Sequence, residues 1–192
     1  MKNIILIGAG GHSKACIDVI ESEKKYKIIG LINHKKINIF NYKTIGNDND
    51  LKRIFRTVRY AHIAVGQIKD LKIREVIFKK LKKIGFSLPI IKSPNAYISK
   101  NSKIDEGTII MHQAIINAAS KIGKNCIINT KSIIEHDTEV KNNTHVAPGS
   151  IINGNCIIGK NCFLGSGSII KENTTIKDFT FVKANSLVIK NK

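Results

Sequence analysis

The sequence predicts an α/β domain followed by a parallel β-helix, and three observations predict it. Every sixth residue from Ile98 to Val188 is Ile, Val or Leu. The position four residues after each of these, from Ser102 to Ser186, holds Ser, Thr, Ala or Cys. Upstream of the repeat, short apolar runs alternate with helix-like ones, and the first apolar run ends in Gly8-Ala9-Gly10-Gly11.

A period of six fits neither a helix at 3.6 nor an amphipathic strand at 2. It fits a coil in which each hexad makes one short strand and one corner, with the aliphatic residue inward and the small one filling the corner. Three hexads close a triangular coil of 18 residues, and the run from Ile98 to Val188 makes about five coils without one insertion. Stacked at about 4.8 Å, five coils stand about 24 Å tall. No single coil buries its own apolar face, so stacking supplies the core.

The repeat accounts for residues 93–192, which leaves residues 1–92 to form a second domain with a core of its own. Lys2 to Ile7 reads as a strand, Gly8 to Ser13 as a glycine loop and Lys14 to Ser22 as a helix. Further strands are expected at Ile28 to Ile32, Ala61 to Val65 and Leu88 to Ile91, with a helix from Asp70 to Ile84, and Pro89 and Pro94 mark the passage into the repeat. This alternation predicts a small parallel sheet of Rossmann-like type. Glycines after the first strand let a backbone approach a diphosphate at a helix N-terminus. The dinucleotide fingerprint is incomplete: Ser13 stands where its third glycine would be, and Asn33 where a ribose-binding acid would be. NAD is therefore not expected. A nucleotide-sugar diphosphate suits the loop better, and a tight turn without a ligand is the plain alternative.

Composition narrows the class. Residues 1–96 carry 20 Lys and Arg against 7 acids and residues 97–192 carry 12 against 7, so most of the net charge of +18 lies in the N-terminal half. Such a balance suits anionic partners. The lysines are scattered over helix faces, as at Lys79, Lys80, Lys82 and Lys83, aromatics are only 6% of residues and no nucleic-acid motif appears, so nucleic acid is not an expected partner. Cys16, Cys126, Cys156 and Cys162 form no CxxC pair, and three of them hold the small position of the repeat. They read as reduced core residues of a cytoplasmic protein. The apolar run Ile4 to Ile7 is too short for a signal peptide or a membrane span, so a soluble, non-exported protein is expected.

The order and spacing of four segments, Gly8-Ala9-Gly10-Gly11-His12, Ala64-Val65-Gly66-Gln67, Ile134-Glu135-His136-Asp137 and His145-Val146-Ala147-Pro148-Gly149, resemble the hexapeptide-repeat sugar acetyltransferases of bacteria. The resemblance runs from the first strand to about Ile189. It implies a left-handed β-helix, a homotrimer, acetyl-CoA as acyl donor in the cleft between prisms, and no metal or NAD. It also implies that the α/β domain holds the acceptor, with contacts at Gly10, Gly11, His12, Asn33 and Gly66. Two acceptors fit: a UDP-linked 4-amino sugar, acetylated on nitrogen for surface-glycan assembly, or a sialic-acid-type sugar, acetylated on oxygen. A non-catalytic trimeric scaffold that binds sugar nucleotides is a third reading. The chain stops at Lys192 just after the last hexad, without the tail that usually helps to hold coenzyme A in this family, so weaker or differently arranged binding of the donor is expected.

Acetyl transfer needs a base near neutrality, and imidazole, with a reference pKa of about 6.5, suits it. His136, flanked by Glu135 and Asp137, is the expected base, and the resemblance makes Asp137 its orienting partner. One coil on, at 18 residues, lies Gly154, whose absent side chain leaves room for the ring and exposes an N–H for an oxyanion; a glycine that merely suits its corner is the alternative. His145 lies half a coil from His136, so the two are not neighbours on one corner, and the resemblance gives it acceptor and acetyl contacts at an adjoining subunit's site. Gly149, Gly165 and Gly167 share one side of the prism, where small residues would admit a pantetheine arm. His34, His62 and His112 are expected to be ordinary surface or loop residues. No two histidines of the repeat stand five or eighteen apart, so no metal site is expected.

Overall fold

The computed structural model describes residues 1–68 and 70–191. β1 (Lys2–Ile7) is apolar from Ile4 onward because it lies inside its sheet, parallel to β2 (Tyr26–Ile32) on one side and to β5 (Tyr60–Ile63) on the other. Its alternate side chains serve two cores. Ile4 and Leu6 pack with Cys16, Ile17 and Ile20 of α1 (Gly11–Glu23), whereas Ile5 and Ile7 pack with Leu51 and Ile54 of α2 (Leu51–Phe55) and Leu81 of α3 (Ile73–Ile84).

Several local expectations are corrected. The sheet, in order β3-β4-β2-β1-β5, is not wholly parallel: β3 (Asn38–Ile39) turns back antiparallel to β4 (Tyr42–Gly46). A hairpin of two residues against five carries too short an apolar run for periodicity to find it. α1 begins on the glycine loop itself, ahead of Lys14. α3 begins at Ile73 instead of Asp70, because the Asp70 carboxylate accepts from the N–H groups of Lys72 and Ile73 at 2.8 and 3.1 Å and so caps the helix from outside. The expected strand Leu88 to Ile91 does not join this sheet. Ser87 makes a single bridge to Tyr60, and Ile91–Lys92 pairs instead with Ile109–Ile110.

That pair opens the prism. Two-residue strands β6 (Ile91–Lys92) to β22 (Leu187–Val188) form three parallel sheets of six, six and five strands, nearly six coils where about five were expected. The extra hexad escapes the pattern because Lys92 fills its aliphatic place. Partners are 18 residues apart throughout, as in Ile116 with Ile134 and Ile152. The inward column from Ile110 to Val182 is almost wholly buried, and each such side chain contributes about 1.5–3 kcal/mol.

The small residue does more than fit its corner. At many of these positions its hydroxyl or thiol donates to the carbonyl fifteen residues on, as Thr144 does to Gly159 at 2.7 Å, Ser150 to Gly165 at 2.7 Å and Cys126 to Lys141 at 3.2 Å, whereas Ser102, Ser132 and Thr180 donate to the carbonyl three residues back. This explains why Ser, Thr and Cys interchange there. The residue before it takes a left-handed conformation, with φ of 55–60° at Asn125, Asn143, Asn155, Asn161, Asn173 and Asn185. Asparagine tolerates that region better than most residues.

The residue preceding each inward aliphatic points outward and gives each face its character. Face one (Ile91, Ile109, Ile127, His145, Phe163, Phe181) docks on α1 through its first three. Face two (Tyr97, Ile115, Ile133, Ile151, Ile169, Leu187) is apolar and partly open, and face three (Lys103, Lys121, Glu139, Ile157, Thr175) is mainly polar. Polar contacts fix the docking. His112 links Ser93 Oγ (2.7 Å) to Asp18 of α1 (2.8 Å), and Gln67 Nε2 donates to the carbonyls of Asn143 and Cys162. His112 lies in a turn and is partly exposed, as expected, and joins the two units; His62 is buried within β5, which overturns the expectation of a surface or loop residue for it; His34 is exposed as expected.

Candidate active site

The fold gathers the expected residues into three places. The first is a cleft of about 610 Å³ at the top of the N-terminal sheet, lined by Gly8 to His12, Asn33, Ala64 to Gly66 and Ile68. Gly8 has φ of +109°, and a Cβ there would stand 2.7 Å from Val65 Cγ2, so only glycine fits. Gly10 and Gly11 face open space, and α1 starts there with no side-chain cap, which leaves N–H groups for an anion. Ser13, in the place of a fingerprint glycine, is buried and donates to Ala64 O at 3.0 Å, tying the helix to the end of β5. The Asn33 amide donates to Lys35 O at 3.0 Å.

His145 adjoins this cleft from the prism. Its ring lies 6.4 Å from that of His12 and edge-on to Phe163 at 5.1 Å, and Phe163 stacks on Phe181 at 4.9 Å. Its Nδ1 bonds the Gln67 carbonyl at 2.8 Å and its Nε2 meets the Asn129 amide at 3.0 Å. Burial pushes His145 down to about 4, against the Gln67 bond and with a smaller push from Arg74. Burial, then the charges of Arg74 and His145, take His12 down to about 3. Both rings are neutral at pH 7. Asn129 and Phe163 escaped the sequence reading, and Gln67 entered it only as part of a segment with no role assigned; for Phe163 the coil arithmetic, which sets it one coil from His145, offered a signal.

The second place is the corner between faces two and three. His136 is exposed there and its Nδ1 lies 2.8 Å from Asp137 Oδ2. Asp137 sits in the left-handed position, φ 60°, which turns its carboxylate back to the ring. The imidazole rests on Gly154: a Cβ there would lie 2.7 Å from Cε1 and 2.8 Å from Nε2. Among the described residues the Gly154 N–H has no acceptor. At the same hexad position the N–H groups of Lys124 and Lys160 are taken by Asn142 Oδ1 and Asp178 Oδ1. Glu135 points elsewhere, accepting from Asn117 at 2.8 Å.

The third place is the corner between faces one and two. Gly149 and Gly167 stack there with φ of +68° and +67°, and a Cβ at Gly149 would meet nothing nearer than the Gly167 nitrogen at 4.0 Å. Gly165 lies against the backbone of Ala184 so closely that no side chain fits. Within one chain, His136 therefore stands on a different side of the prism from the cleft and His145.

Chemically, the arrangement offers a base with a fixed tautomer, a free N–H beside it, open backbone at Gly149 and an anion-receiving loop. Residues 3–81 match the PglD N-terminal domain family and residues 92–192 the GMPPB C-terminal domain family. PerB from Caulobacter crescentus, solved in complex with CoA and GDP-perosamine, is 27% identical, covers 100% of this chain and 90% of its own, and superposes with a TM-score of 0.93. The acetyltransferase domain of PglB from Neisseria gonorrhoeae FA1090, solved with acetyl coenzyme A, is 25% identical over 99% of this chain and 92% of its own, with a TM-score of 0.93. WeeI from Acinetobacter baumannii AYE shares the fold, at 21% identity and a TM-score of 0.74 over 98% and 94%. With its left-handed β-helix and glycine-loop α/β domain, the chain belongs to the hexapeptide-repeat sugar acetyltransferase family.

Proposed function

We propose that the protein transfers the acetyl group of acetyl-CoA to an amino group of a nucleotide-activated bacterial sugar, for surface-glycan assembly. The observation that carries this reading is the His136–Asp137 pair seated on Gly154, in a chain similar along its whole length to an enzyme bound to CoA and an amino-sugar nucleotide. With Nδ1–H donated to Asp137, His136 Nε2 keeps its lone pair. The acceptor nitrogen attacks the thioester carbonyl and His136 takes the proton that nitrogen releases. The carbonyl electrons move to oxygen, to which the Gly154 N–H donates. Collapse of the intermediate expels the CoA thiolate, which takes the proton from His136.

Gly10, Gly11, His12, Asn33 and Gly66 hold the nucleotide diphosphate and sugar, His145 contacts the acceptor and the acetyl group, and Gly149, Gly165 and Gly167 line the pantetheine arm. Because the base and the cleft of one chain lie on different sides of the prism, a complete site needs a second copy. The apolar face two supports a homotrimer closed through that face. A cytoplasmic setting agrees with four unpaired, buried cysteines.

The test is mass spectrometry of acetyl-CoA incubated with the protein and, separately, UDP- and GDP-linked 4-amino sugars and a sialic-acid-type sugar. Gain of one acetyl on the amine, abolished by His136→Ala, is expected. Gain on the sialic-type sugar alone would overturn N-acetylation, and gain on none would overturn the reading.

A further inference from the structure

Among the described residues, Arg74 is the one Lys, Arg, Asp or Glu buried without any exposure. It projects from the first turn of α3 into the seam between the two units. One terminal nitrogen donates to Ile63 O at 2.8 Å and Val65 O at 2.7 Å; the other donates to Asn125 Oδ1 at 2.9 Å and Asn125 O at 3.3 Å. Its Nε has no partner among the described residues. Every acceptor is neutral, and a guanidinium kept from water without an anion is strongly disfavoured. Burial lowers Arg74 to about 10, which still leaves it charged at pH 7.

The place of this charge gives it a use. Val65, whose carbonyl accepts from Arg74, is one of the residues that line the glycine cleft, and its side chain fills the space under Gly8. Arg74 is thus hydrogen-bonded directly to a residue of the cleft wall. The titratable rings around it, His12, His62 and His145, are held neutral chiefly by burial. The wall consequently carries one fixed positive charge backed by low-dielectric protein, where salt screens it far less than a surface lysine.

We infer that Arg74 is a positioning residue that supplies the buried counter-charge for the acceptor's diphosphate, acting through its field and not by contact. The inference rests on the cleft being the nucleotide-sugar site. Asn125 offers a way to cancel the charge without removing the side chain: Asn125→Asp puts a carboxylate where Oδ1 now accepts at 2.9 Å, and the Asn143 amide can turn to donate to it.

The experiment titrates UDP, GDP, UMP and GMP by calorimetry into the full-length wild type, Arg74→Met and Asn125→Asp, with acetyl-CoA as control ligand. In both variants the diphosphates are expected to weaken by about tenfold or more, the monophosphates by less, and acetyl-CoA not at all. Equal losses for monophosphates and diphosphates would reduce Arg74 to a support for the loop and overturn the inference. So would unchanged diphosphate binding in Asn125→Asp, the variant that decides the matter should Arg74→Met not fold. A wild type that takes acetyl-CoA but none of the nucleotides would overturn the reading of the cleft, and the inference with it; that failure shows in the wild-type arm alone.

Discussion

Gly154→Ala isolates the seat of the His136 ring, the proposed base. A Cβ at this position falls 2.7 Å from His136 Cε1 and 2.8 Å from Nε2, so the imidazole has to retreat by about 0.8 Å to reach a carbon contact of about 3.5 Å. The His136 ring is exposed and, among the described residues, hydrogen-bonded only to Asp137, so it swings outward and leaves the coil intact. A misplacement near 1 Å costs up to about 10²-fold in rate, and about 0.8 Å places the expected loss in kcat at about 30- to 100-fold, or about 2–3 kcal/mol of barrier. The assay is CoA release followed with a thiol reagent at saturating acceptor and donor. KM for acetyl-CoA is expected to hold, and Tm to stay within about 2 °C. In the His136→Ala background the same substitution is expected to cost nothing further, because it acts through the ring. A kcat within about threefold of wild type would refute the reasoning. A full additional loss in the His136→Ala background would show that the substitution disturbs the N–H instead.

Asp137→Asn keeps a short side chain in the left-handed position but removes the charge that holds Nδ1–H, and kcat is expected to fall about 10- to 10³-fold; unchanged steady-state kinetics would dismiss Asp137 as the orienting partner. His12, His62 and His145 stay neutral in the fold, while the same imidazoles in the unfolded chain take up protons near pH 6.5. Stability is therefore full above about 6.5 and falls, by about 1.4 kcal/mol per pH unit for each ring, as pH drops towards the folded values. Urea midpoints that do not move between pH 7 and 5 would contradict this. On face two, Ile151→Asp with Ile169→Asp is expected to convert a trimer into monomers and abolish turnover while each prism stays folded, as read by light scattering and circular dichroism; an unaltered mass would place the interface elsewhere.

The hexad made the prism legible because one residue type recurs at a fixed phase and tolerates no exception from Ile98 on; it failed at Lys92, where the open end of the prism relaxes the demand for an apolar side chain. The residue before each inward aliphatic held more than was read from it. Taken every third hexad, those residues form two apolar columns and one mainly polar one, and so announce which faces are covered. The asparagines of the corners were legible in the same way, as left-handed positions. Within the candidate site, His136 followed from imidazole chemistry and its charged flanks, Asp137 from the resemblance, Gly154 from coil arithmetic, and the glycine loop from its spacing. Arg74, Gln67 and His62 did not, because their partners lie on another unit, and no local pattern in α3 or β5 records what a docked prism brings against them.

The short strands also act as a ruler. Stacking fixes height in steps of about 4.8 Å, and the bonds from His112 to Asp18 and from Gln67 to Asn143 and Cys162 pin the glycine loop to one graduation of that scale. A three-fold assembly about an axis along the prism keeps all copies level, so the drop from loop to His136 is the same whichever chain supplies each. On the proposed function, the coil count between them sets how far below its phosphates an acceptor has to carry its amine, and adding or deleting 18 residues there would shift that reach by one whole graduation.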